Sequence, residues 1–303
     1  EKACFYAKAD IASEVVKEFT SLQGIIGSIY ANYFGEKEIA QALYEQYLPL
    51  PKDEKLPETW EGIILSLVDK IDHICALFGS GEKPTGEADP YGLRRSAYGI
   101  IKILIGKNIF LGLEDIIKYN LKILDEQRFL KEKEIFSDIL NFLRRRLEGE
   151  FLNLGFDKAL IGVIIELPFN PFDLFLRIKA LKEFQEKKEF IDLIIGFKRV
   201  AQILKGINKN SLPELDLNLF KEAEEKALYF KISELTSQLK NLLNKKEYIQ
   251  YLQTLLTLKE FIDAFFDKVF VMTDERKIRE NRLRLLMETA SLFNSFGDFT
   301  FLI

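Results

Sequence analysis

From Leu255 onward, the apolar residues Leu258, Phe261, Ile262, Phe265, Phe266, Val269 and Phe270 recur at intervals of three and four. That spacing matches the 3.6-residue period of an α-helix, not the two-residue period of a strand. The same stripe returns in Ile11, Val15, Val16 and Phe19, in Ile39, Leu43 and Tyr47, and in Ile63, Ile64, Leu67, Val68, Ile71, Ile74 and Leu77. Ile135, Ile139, Phe142, Leu143 and Leu147 form one more. Gly (17) and Pro (8) are scarce among 303 residues and leave long tracts unbroken. No segment alternates like a strand, and neither an internal repeat nor a low-complexity tract is present. The pattern predicts an all-α fold, a bundle-like pair of helical domains.

Helices are predicted over 3–19, 36–47, 91–105, 172–186, 189–205, 217–245, 247–270 and 275–294. Another runs from a Thr59 cap through Leu77 and stops at Gly79 and Gly81. The prolines of Leu48-Pro49-Leu50-Pro51 and Pro168-Phe169-Asn170-Pro171 punctuate the chain. Gly106 to Gly112 reads as an inter-domain joint, giving a first domain over 1–130 and a second over 131–303, with the boundary inside 106–133.

Hydrophobic residues make up 48%, enough for a packed core. The net charge of -4 provides no global basic field, so a nucleic-acid partner would have to meet local patches. Cys4 and Cys75 form neither a CxxC pair nor a disulfide framework, which suits a reducing cytoplasm. There is no run of 18 apolar residues and no signal-peptide pattern, so no membrane role is expected. The chain opens at Glu1 without Met, inside an apparent helix, and is expected to be part of a longer protein.

His73 is the only histidine. A Ser/His/Asp or Cys/His arrangement could use no other base, nothing in its context points to one, and its mostly apolar helix marks it as a core or boundary residue. No GxxxxGK[ST] loop is present. Basic residues do cluster: Arg94-Arg95, Arg144-Arg145-Arg146, Lys198-Arg199 with Lys205 and Lys209, and Arg276, Lys277, Arg279, Arg282 and Arg284. Lys and Arg neutralise phosphates, and Arg also stacks on or pairs with bases. Acids such as Glu148, Glu150, Glu275 and Glu280 accompany each cluster, so a solvated, salt-bridged face is the competing reading.

Several segments carry a resemblance: Lys8-Ala9-Asp10-Ile11, Leu67-Val68-Asp69-Lys70-Ile71-Asp72, and the Pro/Gly-shaped stretch from Lys83 to Arg95. Phe265-Phe266-Asp267-Lys268-Val269-Phe270-Val271-Met272 and Arg279-Glu280-Asn281-Arg282-Leu283 continue it. Together they resemble the C-terminal part of the β subunit of bacterial glycyl-tRNA synthetase, a heterotetramer of two α and two β subunits. The resemblance implies a degenerate HD-like helical domain followed by a helical anticodon-binding domain similar to that of arginyl-tRNA synthetase.

It also implies an α subunit that activates glycine with ATP and magnesium, and a β subunit that grips tRNA-Gly. The fragment itself would hold no cofactor and would be inactive alone. In the HD family a His-Asp pair and a later Asp bind metal. Here Ala9-Asp10 and Asp69 stand at those positions, and the missing histidines leave vestigial carboxylates and no metal site. The tRNA-binding candidates are Lys83, Arg94, Arg95, Lys198, Arg199, Lys205, Arg279 and Arg282. Two alternatives are an HD-type metal-dependent phosphohydrolase and a helical scaffold that binds no RNA.

Overall fold

Short polar side chains at a few positions decide where the helices begin and end. The computed structural model describes residues 1–50, 55–84, 89–130, 135–208 and 212–303. Among them every regular element is helical, in keeping with the all-α expectation. Two compact units emerge, one of residues 1–150 with 168–172, the other of 151–167 with 173–303. The change of unit falls at Glu150–Phe151, whereas the sequence reading draws it at 131, which lies outside the described residues.

In the first unit the single helix expected over 3–19 is broken. Helix α1 (Lys2–Phe5) and α2 (Glu14–Glu18) flank a 3-10 turn over Ala9–Ala12. Lys8 takes a left-handed φ of 59°, which a continuing helix does not tolerate. Ser13 then caps α2 by accepting the Val16 N–H through its hydroxyl. Helices α3 (Ile25–Tyr33) and α4 (Lys37–Glu45) pack as a pair, and α4 packs on α5 (Trp60–Gly79).

Thr59 caps α5 as the sequence predicts, its hydroxyl taking the Gly62 N–H. The carboxylate of Glu45 reinforces this start. It accepts the N–H groups of Glu58 and Thr59, both at 3.0 Å, and the Thr59 hydroxyl at 2.5 Å. Gly62 is required by this approach, since a Cβ there would lie 2.0 Å from Glu45 Oε2. Helix α6 (Leu93–Gly106) lies along α5. Gly99 of α6 makes room for the stem of Lys70, which a Cβ would meet at 2.6 Å. Helix α7 (Glu114–Glu126), which also packs on α5, sits inside the 106–133 range in which the sequence reading placed the domain boundary. Helix α8 (Phe136–Asn153) buries Ile139, Leu143 and Leu147, the stripe seen in the sequence.

The second unit is built from α9 (Lys158–Ile165), α10 (Pro171–Gln185), α11 (Glu189–Leu204), α12 (Ala223–Lys245), α13 (Tyr248–Leu256), α14 (Lys259–Lys268) and α15 (Arg276–Asn294). Helix α15 packs on α11 and α12, and α14 also touches both. Phe197, Phe293, Phe296, Phe299 and Tyr251 form a buried aromatic centre, with neighbouring ring centroids 5.0–5.9 Å apart. The helix expected over 217–245 starts late. A 3-10 turn at Leu217–Leu219 precedes α12, which a capping box of Glu222 and Glu225 opens. The helix expected over 247–270 is two helices, interrupted at Thr257 and Leu258 and ending at Lys268. Its apolar stripe stays buried through Ile262 and Phe265, but Phe270, beyond the end of α14, is 74% exposed.

Candidate nucleic-acid interface

Asp10 and Asp69, the positions expected to be HD remnants, are both in use within the fold. Asp10 is buried, accepting the Gly24 N–H at 2.6 Å through Oδ2 and the Tyr47 hydroxyl at 3.2 Å through Oδ1. Asp69 is half-buried and pairs with Lys8, Oδ1 to Nζ 2.8 Å. An ammonium is a competitor for a cation, and each Asp10 carboxylate oxygen already accepts from a neutral donor, so this donor set does not suit a metal ion. No group of three or more His, Cys, Asp or Glu side chains among the described residues is placed to hold one.

Beside Asp69 lies a cavity of about 280 Å3 lined by Lys8, Tyr47, Asp69, Lys70, His73 and Arg95. Lys70 comes from the apolar stripe of α5 and is only 6% exposed. Its ammonium donates to Ser66 Oγ at 2.7 Å and to the Gln46 carbonyl at 3.1 Å. Burial pushes its pKa down to about 8, against the pull of Asp69 and with repulsion from Lys8 and Arg95. Burial likewise lowers the His73 pKa, though Asp69 and a hydrogen bond to the Tyr91 backbone oppose it. The other ring nitrogen, Nε2, is buried without a partner among the described residues.

The Lys83–Arg95 stretch is described except for residues 85–88. Lys83 reaches Asp138, Nζ to Oδ2 2.9 Å. Asp89 caps α6, its two carboxylate oxygens accepting the Leu93 and Arg94 N–H groups at 2.8 and 2.9 Å. Arg94 is half-buried, while Arg95 is exposed and borders the cavity. The stretch therefore divides into a helix start, a salt-bridged lysine and one arginine turned to a pocket.

The basic residues of the second unit separate just as clearly. Arg282 is 6% exposed and belongs to the interior. Its guanidinium holds Glu225 (Nε to Oε1 2.9 Å) and donates to the Phe270 carbonyl at 2.9 Å. Asn281 beside it is buried and bonds the Asp216 backbone on both sides, at 2.8 and 3.0 Å. Arg279 is half-buried and donates to the Thr273 carbonyl at 3.0 Å. Arg199 is tied to Asp263 at 2.7 Å and Asp267 at 3.3 Å, with its guanidinium 4.9 Å above the Phe266 ring. Burial opposes charge on Asp263, but hydrogen bonds from Lys259 and Arg199 keep its carboxyl below its ordinary value.

Of the five candidates in this unit, Lys198 and Lys205 remain exposed, with no ion pair among the described residues. Lys277 on α15 is exposed in the same way. Lys209 lies outside the described residues. Arg145 is exposed on α8, whereas Arg144 is within 4.0 Å of Glu114 and Arg146 covers the Phe142 ring.

Sequence reasoning missed the loop between α14 and α15. Arg279 and Arg282 bond its Thr273 and Phe270 carbonyls from within, and it presents Phe270 and Met272 to solvent at 74% and 49% exposure. An exposed aromatic on a braced loop is the element that stacks on an unpaired base. The signal for it was the end of α14 at Lys268, which no periodicity reports.

Comparison with known proteins follows this division of the chain. The family model for the glycyl-tRNA synthetase beta subunit matches residues 1–166, and that for the DALR anticodon binding domain matches residues 193–298. A glycine–tRNA ligase beta subunit of Aquifex aeolicus is 39% identical over 99% of this chain and 42% of its own length. That of Persephonella marina is 38% identical over 97% of this chain and 43% of its own, and that of Syntrophus aciditrophicus 38% over 99% and 43%. The chain thus spans about two-fifths of the length of the curated relatives it matches. With a family match that covers more than half of its residues, the chain belongs to the glycyl-tRNA synthetase beta subunit family.

Proposed function

We propose that this chain is the tRNA-gripping portion of the β subunit of a glycine–tRNA ligase, with residues 193–298 engaging the anticodon arm of tRNA-Gly. The observation that carries the reading is the braced loop with exposed Phe270, which lies inside the segment similar to anticodon-binding domains. Base stacking on Phe270 would supply affinity, while Lys198, Lys205 and Lys277 would neutralise phosphates. Arg199, Arg279 and Arg282 would then act through the fold by holding helices and the loop in place.

In this reading glycine activation, the chemistry that takes ATP and magnesium, belongs to a partner α subunit in a cytoplasmic heterotetramer, and the chain alone charges no tRNA. The first unit, HD-like in the expectation above, would lie toward the acceptor arm. The test is a titration of tRNA-Gly and anticodon-swapped tRNA against the intact ligase and its Phe270→Ala, Lys198→Ala and Lys205→Ala variants over a range of salt. Each phosphate-contacting lysine should reduce the salt slope by about one on removal. Unchanged affinity and slope in all three variants would refute the assignment of the anticodon arm to this surface.

A further inference from the structure

The cavity beside Asp69 has a charge pattern that packing alone does not explain. Among the described residues, three cationic side chains, Lys8, Lys70 and Arg95, line it against one carboxylate, Asp69. Asp69 is already paired with Lys8. The Lys70 ammonium has three protons, and its hydrogen bonds to Ser66 and Gln46 use two. Arg95 has no acidic partner among the described residues. Keeping an ammonium almost out of water is expensive unless an opposite charge answers it.

Two acceptors make the pattern more specific. Among the described residues, His73 Nε2 and Gln46 Oε1 are both buried with no hydrogen-bond partner, and both residues line the cavity. Gln46 is 1% exposed, and its amide nitrogen is held by the Leu43 carbonyl at 2.8 Å, which fixes the amide's orientation. Each buried acceptor left unsatisfied costs about 1–3 kcal/mol. A water molecule answers an acceptor but leaves the excess positive charge. A ligand that carries both an oxyanion and a hydroxyl answers both.

We propose that this cavity is a metal-independent binding site for a phosphoryl group, with Lys70 and Arg95 holding its oxyanion and His73 Nε2 and Gln46 Oε1 accepting a hydroxyl of the same ligand. Lys8 adds positive potential from across Asp69 and is a lesser contact, being itself salt-bridged. The volume of about 280 Å3 is below the usual range of about 300–1,000 Å3 for drug-sized ligands. It suits inorganic phosphate or the phosphorylated end of a nucleotide and not a whole dinucleotide. The group arrives either as a free small molecule or as the 5′-phosphate of an RNA strand. This site is separate from the loop of the proposed anticodon surface, so either reading can fail alone.

The probe is inorganic phosphate, titrated calorimetrically into the full-length subunit with and without EDTA. Saturable binding that EDTA leaves unchanged is expected. Arg95→Gln, at an exposed position, should weaken it at least tenfold with the fold intact, and Lys70→Gln should abolish it. Lys122→Gln on the exposed face of α7 should leave it unchanged. Adenosine monophosphate and short RNAs with a 5′-phosphate or a 5′-hydroxyl distinguish the sources. Displacement of inorganic phosphate by the mononucleotide alone assigns a free metabolite, and displacement by the 5′-phosphorylated RNA but not its 5′-hydroxyl twin assigns an RNA end. Non-saturable phosphate binding, binding lost with EDTA, or equal binding by wild type and Arg95→Gln would overturn the proposal.

Discussion

Arg282 and Glu225 form a buried ion pair across 57 residues of sequence, with their side chains 7% and 0% exposed. The guanidinium also caps the Phe270 carbonyl, and the carboxylate also takes the Lys221 and Glu222 N–H groups at 2.8 Å each. One interaction therefore fixes the start of α12, the middle of α15 and the loop that displays Phe270. Removing either partner strands a charge in the interior.

Arg282→Ala should destabilise the second unit by about 3–5 kcal/mol, read from urea denaturation. Below its unfolding midpoint the variant's tRNA affinity should keep the wild-type salt slope, because this arginine does not face solvent. Burial works against charge on Glu225, but bonds from Arg282 and the backbone overcome it and hold its pKa below the ordinary 4.5. Its contribution is complete above that value and is lost as pH falls through the lower folded one. Glu225→Gln should accordingly flatten the acid limb of the stability profile. A full-sized acid limb in that variant would assign acid sensitivity elsewhere.

Gly62→Ala should cost about 1–3 kcal/mol, because the new methyl would displace the Glu45 carboxylate from the start of α5. Glu45→Gln removes the charge and relaxes the crowding only in part. If Gly62→Ala melts at the wild-type temperature, the carboxylate is not seated against the Thr59 cap.

Lys70 makes the first unit sensitive to alkali in an unusual direction. Its folded pKa is about 8 against an ordinary 10.5, so below pH 8 both states hold the proton and the folded state bears the whole cost of burying it. Between those values the unfolded chain binds the proton that the folded one has released, and stability rises with pH. The stability of wild type relative to Lys70→Met should therefore grow by about 3 kcal/mol from pH 8 to 10.5. Taking the difference cancels ionisations common to both proteins, such as that of Cys75, whose thiol burial pushes up to about 12. A difference that stays flat over this interval would mean the amine is solvated.

Phe270→Ala should leave thermal stability within about 0.5 kcal/mol of wild type, as expected for a solvent-facing side chain. Its affinity for tRNA-Gly should fall by about 1–3 kcal/mol if a base stacks there. Phe270→Trp should retain binding. Filter binding at fixed salt measures both, and loss of stability without loss of affinity would return Phe270 to a packing role.

Much of the architecture could be read from the chain because helical period and helix caps are local. Thr59, three residues before Gly62, announced α5, and the stripe of α8 turned up buried. The errors came where distant residues decide. Lys8 breaks the first helix in company with Asp10, whose partners Gly24 and Tyr47 are far along the chain. Phe270 matched an apolar stripe but follows the last turn of α14, where periodicity no longer specifies a face. Arg282 stood in a basic cluster, and its burial depends on Glu225 from another helix. Lys70 was hidden among apolar neighbours, since nothing local distinguishes a buried ammonium from a surface one. Sequence supplied the charged candidates but not the separation of those that brace the fold from those left exposed.

The notch at Gly99 ties the histories of two helices together. Because the Lys70 stem occupies the space a side chain at 99 would take, position 99 cannot gain a side chain while Lys70 stays. A lineage that acquires a methyl or larger group at 99 must shorten the residue at 70, and with it gives up the buried positive charge. Across relatives a side chain at 99 should therefore occur only where residue 70 is shorter, and such proteins should form a separate group with a less positive cavity.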